Sequence, residues 1–148
     1  KVLRVRTFNL IIFLILVSQN CFSDLEPAAW YKDGYYYSKS SAKIEGSAKL
    51  YSRIARNKAD LKANRSLINF FINENLVINE NLVYIEDEIK NLLFSEILKN
   101  ELVLNGLDTK KIYNQDSNVW VKIKISKVSL ENQLGDKIKK FQEQLNSK

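Results

Sequence analysis

The feature of this 148-residue sequence that most restricts its fold is a strict alternation of side chains between Val119 and Ser126. β-Branched residues hold the odd positions, and larger or polar residues hold the even ones: Val119, Val121, Ile123 and Ile125 against Trp120, Lys122, Lys124 and Ser126. Successive side chains of a strand point to opposite faces, so the pattern predicts a strand with one buried face. Four β-branched side chains on one face need a covering layer.

A helical pattern that runs from about Ser41 to Asn73 can supply that layer. Apolar residues recur at steps of four and seven, and a stripe of small residues accompanies them: Leu50, Ile54, Leu61, Ile68 and Ile72, then Ala48, Ala55, Ala59 and Ala63. Small residues let a helix lie close against another element, so we expect a long helix packed on a sheet.

The remaining elements complete an α+β fold class. The aromatic run Tyr35–Ser40 predicts a strand, and residues 102–113 are a candidate antiparallel partner for the strand at 119–126. Residues 84–104 predict a second helix, and Leu134, Ile138, Phe141 and Leu145 predict a third. We therefore expect a small antiparallel sheet packed by one long helix and two shorter ones.

A six-residue repeat separates the first two predicted helices. Residues 72–77 and 78–83 both read Ile-Asn-Glu-Asn-Leu-Val. Two copies are too few for a solenoid, which needs several repeats to bury a core. We interpret the second copy as an insertion in the connection between the helices.

The N-terminal residues have the three-part order of a secretory signal peptide. Residues 1–7 carry three basic side chains, residues 8–17 are almost wholly apolar, and a polar stretch follows. The apolar run is half the roughly 20 residues of a spanning helix, so an uncleaved anchor is the weaker alternative. The sequence predicts a signal segment over residues 1–23, a single domain over 24–148, and export to the periplasm, outer membrane or cell surface.

Two processing routes remain open at the end of this segment. Small residues before Asp24 suit cleavage after Ser23, whereas cleavage before Cys21 would expose that cysteine for lipidation. The first route gives a soluble domain, and the second gives a lipoprotein attached to the membrane only at its N-terminus.

The composition restricts the chemistry of the chain. Histidine is absent, and Cys21 is the one cysteine, so histidine-dependent triads and ordinary zinc sites are excluded. The acidic run Glu86–Glu88 could serve a carboxylate-based hydrolase, but acids at a helix start are typically dipole partners. We predict no catalytic residue, cofactor or metal.

A nucleic-acid or other polyanion partner is a second alternative. Residues 39–65 hold eight basic and two acidic side chains, but helical geometry spreads them over two flanks and forms no single stripe. Without residues 1–23, the chain has 20 basic and 17 acidic residues. Nucleic acid is therefore not the expected partner.

The residues most suited to an interaction lie on the polar face of the strand at 119–126. Trp120 shares that face with Lys122 and Lys124, and tryptophan is enriched among interface hot spots. Either the segment around Trp30 covers Trp120, or Trp120 is an exposed anchor for a partner. Trp30, Trp120, Lys122 and Lys124 are accordingly the candidate interaction residues.

Several segments together resemble a known family. They are Pro27-Ala28-Ala29-Trp30, the aromatic run at 34–40, the alanine-spaced helix around Ala59, and residues 118–125 leading into a helix. In this order they resemble the small envelope lipoproteins typified by the twenty-kilodalton membrane-associated lipoprotein of Helicobacter, which are related to flagellar outer-membrane accessory proteins. The resemblance implies a small α+β envelope domain without assigned catalytic residues.

The expected function is that of a non-enzymatic exported envelope protein, which acts by contact with another envelope protein or with itself. Membrane attachment is expected only through the N-terminal lipid or signal segment.

Lipidation at Cys21 can be tested directly. If Cys21 is the modified residue, radiolabelled palmitate should enter the protein in cells, and Cys21→Ala should abolish the incorporation. Label that persists in the variant would reject the site.

Overall fold

The computed structural model describes residues 28–99 and 104–147, which form a four-stranded antiparallel sheet with three α-helices. The predicted α+β class is confirmed. The predicted signal segment 1–23, with Cys21, Ser23 and the neighbouring Asp24, lies outside the described residues. In chain order the elements are β1 Ala29–Lys32, β2 Tyr35–Lys43, α1 Lys49–Asn75, a 3₁₀ helix Glu80–Ile85, α2 Glu86–Lys99, β3 Thr109–Gln115, β4 Asn118–Ser126 and α3 Lys127–Asn146.

Two boundaries differ from the sequence predictions. The first helix begins at Lys49 and not near Ser41, because β2 continues to Lys43 in full pairing with β4. The partner of β4 is shorter than expected, since β3 begins only at Thr109.

The sheet consists of two hairpins joined at its centre. Its strand order is β1-β2-β4-β3. The central strands β2 and β4 pair although α1, α2 and β3 lie between them in the sequence. The hairpin turns are Asp33-Gly34 and Asp116-Ser117, and all four residues have positive φ angles. Two-residue turns of this kind match the right-handed twist of the strands.

The alternation in β4 produces the predicted two faces. Val119, Val121, Ile123 and Ile125 are each at most 2% exposed, and the side chains between them are half-buried. α1 contacts β4, so the predicted cover of this apolar face by the long helix is confirmed.

α1 meets the sheet through the alanine stripe. Ala55, Ala59 and Ala63 are at most 1% exposed, and α1 contacts β1, β2 and β4. The facing side of β2 also carries small residues, Ser38 and Ala42, both buried. Small side chains on both surfaces permit a close approach of helix and sheet. The hydroxyl of Ser38 donates to the carbonyl of Ala28 at 3.0 Å, so this buried polar group is satisfied.

The predicted apolar stripe of α1 is only partly buried. Ile68 and Ile72 are fully buried, but Leu50, Ile54 and Leu61 are 59%, 40% and 51% exposed. The apolar stripe identified in the sequence therefore enters the core only in its second half. The physical reason is that α2 and α3 complete the core beside the second half of α1, while the sheet covers only the alanines of the first half.

The aromatic run in β2 divides between the two faces of the sheet. Tyr36 lies in the core, with its ring edge-on to Phe71 at a centroid distance of 5.4 Å. Burial raises the pKa of the Tyr36 hydroxyl, so it remains neutral well into alkaline conditions. Tyr35 and Tyr37 point to the opposite face.

α3 ties the helical layer to the rest of the fold. It follows β4 directly, and the Ser126 hydroxyl caps it by accepting from the Ser129 amide at 3.2 Å. Two glutamines of α3 also hold connecting segments, since each side-chain amide pairs with both backbone groups of one residue: Gln133 with Asn105, and Gln142 with Val77.

The two copies of the repeat adopt different structures. The first copy forms the last turn of α1 and buries Ile72 and Leu76, whereas the second begins in the loop and continues into the 3₁₀ helix. The second copy therefore lies in the connection between α1 and α2, as predicted. The Asn79 side chain accepts from the Asn81 amide and begins the 3₁₀ helix.

The assignment of faces predicts opposite outcomes for one chemical change at two positions. Ile123→Asp places a carboxylate at a fully buried site and should cost several kcal/mol, enough to unfold the domain. Leu61→Asp, at a half-exposed site, should leave the melting temperature almost unchanged. Thermal unfolding followed by circular dichroism measures both, and an unchanged melting temperature for Ile123→Asp would show that the faces are wrongly assigned.

Candidate binding surface on the open face of the sheet

The strand register defines a second surface on the side of the sheet opposite the helices. Directly paired residues of an antiparallel sheet point to the same side, so the positions paired with Trp120, Lys122 and Lys124 share their face. We call this surface the lysine–aromatic face. Its lysines are Lys32, Lys39, Lys43, Lys111, Lys122 and Lys124, and its aromatic residues are Trp30, Tyr35, Tyr37, Tyr113 and Trp120.

Three of these lysines stand side by side across the sheet. Lys122 in β4 is paired directly with Lys39 in β2 on one side and with Lys111 in β3 on the other. We call these three residues the lysine row. Like charges directly opposite each other destabilise a sheet. The described strands contain no aspartate or glutamate.

Aromatic residues border the lysine row on both sides. On one side Trp30 stacks on Tyr37, with a centroid distance of 5.3 Å and an interplanar angle of 4°. On the other side Tyr113 stacks on Trp120 at 6.4 Å and 8°. We call these two pairs the aromatic walls. Each ring of a wall therefore lies beside a nearly parallel neighbour.

The lysines of the row lean towards opposite walls. The Lys39 ammonium lies 4.9 Å from the centroid of Trp120, and the Lys122 ammonium lies 5.5 Å from that of Trp30. Such cation–π contacts contribute about 0.5–1 kcal/mol at exposed sites. They draw the ammonium groups of these two neighbouring lysines apart.

The four predicted interaction residues all lie on this face. The register places Trp30 opposite Tyr37 and Trp120 opposite Ser41, which separates the two tryptophans by about 13 Å along the strands. The Trp30 side chain therefore does not cover Trp120, whose ring is flanked by Tyr113 and Lys39. Residues 24–27 of the segment before Trp30 lie outside the described residues. Lys124 has its own aromatic neighbour, because its ammonium lies 4.0 Å from the Tyr35 centroid.

Sequence reasoning missed Lys39, Lys111, Tyr37 and Tyr113 as members of this surface. The alternation Tyr35, Tyr37, Lys39 along β2 could have suggested a shared face. The position of Lys111 beside Lys122 depends on the register of β3, which the two-residue turn Asp116-Ser117 sets.

Other parts of the described chain bring together fewer residues that could form a site. The acidic residues Glu86–Glu88 form the first turn of α2, where Glu86 pairs with Lys90, as expected of helix-start residues. A groove of about 850 Å³ between the end of α1 and α3 has an apolar floor with charges of both signs at its rim. Across residues 28–99 and 104–147, no cluster of three or more potential ligand side chains could hold a metal ion. None of the helices in these ranges is long and apolar enough to cross a membrane.

Comparisons with known proteins assign this chain to no family. No protein-family model, curated protein or solved structure matches this chain.

The lysine row predicts a substitution that stabilises the protein. In Lys122→Glu, a carboxylate would stand directly opposite Lys111 and replace a repulsive pair by an attractive one. Stability should rise by about 0.5–1 kcal/mol at low salt, after allowance for solvent screening, and the gain should shrink as salt is added. Lys32→Glu is the matched control, because Lys32 pairs with the uncharged Tyr35. Thermal unfolding at two ionic strengths measures the difference, and equal effects of both substitutions would contradict the described register.

Proposed function

We propose that this protein is a non-enzymatic, exported component of the cell envelope that binds an acidic partner through its lysine–aromatic face. Export is supported by the basic and apolar order of residues 1–23, and the envelope setting by the resemblance to small envelope lipoproteins. The binding role rests on the open face of the sheet.

The observation that carries the proposal is the lysine row. Lys122 and Lys111 stand directly opposite each other, an arrangement that lowers stability, and the fold does not need them, because the buried residues of β4 lie on the other face. A surface that lowers stability without structural need is typical of a functional site. The charge of the row calls for a partner with negative groups.

The positive charge of the lysine–aromatic face also disfavours self-association through this face. Two copies that associated through this surface would place six lysines opposite six others. The described strands carry no carboxylate that could pair with these lysines. A different molecule of opposite charge is therefore a better partner for this face than a second copy.

Two measurements test the proposal. Fractionation of cells that express the full chain should place it outside the cytoplasm. In fluorescence anisotropy, the protein should bind labelled polyglutamate, and Lys122→Glu with Lys124→Glu should weaken this binding more than about tenfold.

The control changes the same charge elsewhere. Lys58→Glu with Arg65→Glu alters two exposed residues of α1 and should weaken binding far less than the face variant does. Equal losses in the two double variants would show that net charge alone attracts the polymer. Full-length protein in the cytoplasm would overturn the exported role.

A further inference from the structure

We infer that the free edge of β3 is a second docking site, at which an extended peptide segment of another protein pairs as a further strand of the sheet. The site consists of this edge and of the cleft between β3 and the first half of α1, and the segment carries acidic and apolar side chains. The site lies at the side of the sheet, so the inference does not rest on the proposed role of the lysine–aromatic face.

The hydrogen bonds at the two ends of β4 show which of its residues bond to β2. Alternate residues of a central antiparallel strand bond to opposite neighbours. At one end the Ile44 amide donates to the Ser117 carbonyl, and at the other end the Lys127 amide donates to the Gly34 carbonyl, each at 2.9 Å. The odd-numbered residues of β4 therefore bond to β2, and the even-numbered ones bond to β3.

The same alternation leaves backbone groups of β3 facing away from the sheet. The even-numbered residues of β4 are paired with residues 109, 111, 113 and 115, which use their N–H and C=O groups in these pairs. The N–H and C=O groups of Lys110, Ile112 and Asn114 consequently point to the free edge. Such a row of backbone donors and acceptors is the template on which an extended peptide adds to a sheet.

The cleft beside this edge determines which side chains the peptide carries. It has a volume of about 690 Å³, and its apolar lining includes Leu50, which is 59% exposed, and the half-buried Ile112. Its charged lining is Lys49, Arg53 and Arg56, and the described lining residues include no carboxylate. Within the described ranges, none of these three cations belongs to an ion pair. A segment with both acidic and apolar side chains complements this lining.

A second copy of this chain fits the edge less well. β3 carries two lysines and no acidic residue, so a second β3 would bring no negative group to the cations of the cleft. Lysines on edge strands also oppose the pairing of one edge with another. The charges therefore select a different, acidic chain.

The experiment measures binding of a labelled peptide of alternating glutamate and valine by fluorescence anisotropy. Asn114→Pro removes one outward N–H and spares the bonds between β3 and β4, whereas the control Asn114→Ala keeps that N–H. Arg53→Gln and Arg56→Gln remove cations of the cleft, and the control Lys58→Gln removes an exposed charge of α1 outside it. Thermal unfolding checks that each variant folds.

The substitutions at the site should weaken binding, and their controls should not. Asn114→Pro should lower the affinity by about five- to tenfold through the lost hydrogen bond, and Asn114→Ala by less than about twofold. Arg53→Gln and Arg56→Gln should each lower it by about five- to tenfold, and Lys58→Gln by less than about twofold.

Hydrogen exchange in the unmodified protein gives a readout that needs no variant. Saturation with the peptide should slow exchange at the amides of Lys110, Ile112 and Asn114. The amides of Lys111 and Tyr113 already bond to β4 and should change little.

Three outcomes would overturn the inference. Equal losses for Arg53→Gln, Arg56→Gln and Lys58→Gln would indicate attraction by net charge alone. Unchanged exchange at the three outward amides would show that β3 gains no strand. A dimer in analytical ultracentrifugation that Asn114→Pro abolishes would identify a second copy as the occupant. The polyglutamate measurement on the lysine–aromatic face tests the proposed function separately from all three.

Discussion

The contact on which the rest of the structure depends is the close packing of α1 on the centre of the sheet. Ala55, Ala59 and Ala63 meet a surface of β2 that is itself built from small residues, so helix and strand approach closely. The larger β-branched residues of β4 fill the space beside this contact. Because the core of the described residues lies on this side of the sheet, the side chains of the opposite face are not needed to fill it. The lysine–aromatic face, the proposed binding surface, is left open because the described helices lie on one side of the sheet.

The elements that could be predicted from the sequence are those set by local periodicity. The alternation in β4 identified both of its faces, and the alanine stripe indicated the contact between helix and sheet. The same periodicity includes the exposed residues Leu50, Ile54 and Leu61 and the buried residues Ile68 and Ile72. Only the second half is buried, because α2 and α3 pack beside that half of α1. Periodicity shows which side chains share a stripe, and it does not show how far along the helix a neighbour reaches.

The candidate surface illustrates the same limit. Trp120, Lys122 and Lys124 lie on one strand, so their common face could be read directly. Lys39 is distant from Lys122 in the sequence, and Lys111 is separated from Lys122 by a turn. The register of two strand pairs makes these residues neighbours. Fold and binding residues nonetheless occupy alternate positions of the same strands. Either set can therefore change in evolution without disturbing the other.

The repulsion within the lysine row has a consequence for the protein in its natural setting. An acidic partner bound at Lys111 and Lys122, as proposed, would offset a repulsion that the folded state alone bears, since these two lysines become neighbours only when β3 and β4 pair. A ligand that binds only the native form raises its stability with concentration, by about 2.7 kcal/mol at one hundred times the dissociation constant. Where its partner is abundant, the protein would resist unfolding and proteolysis, and in its absence it would be cleared more readily. Its own abundance would then follow that of its partner.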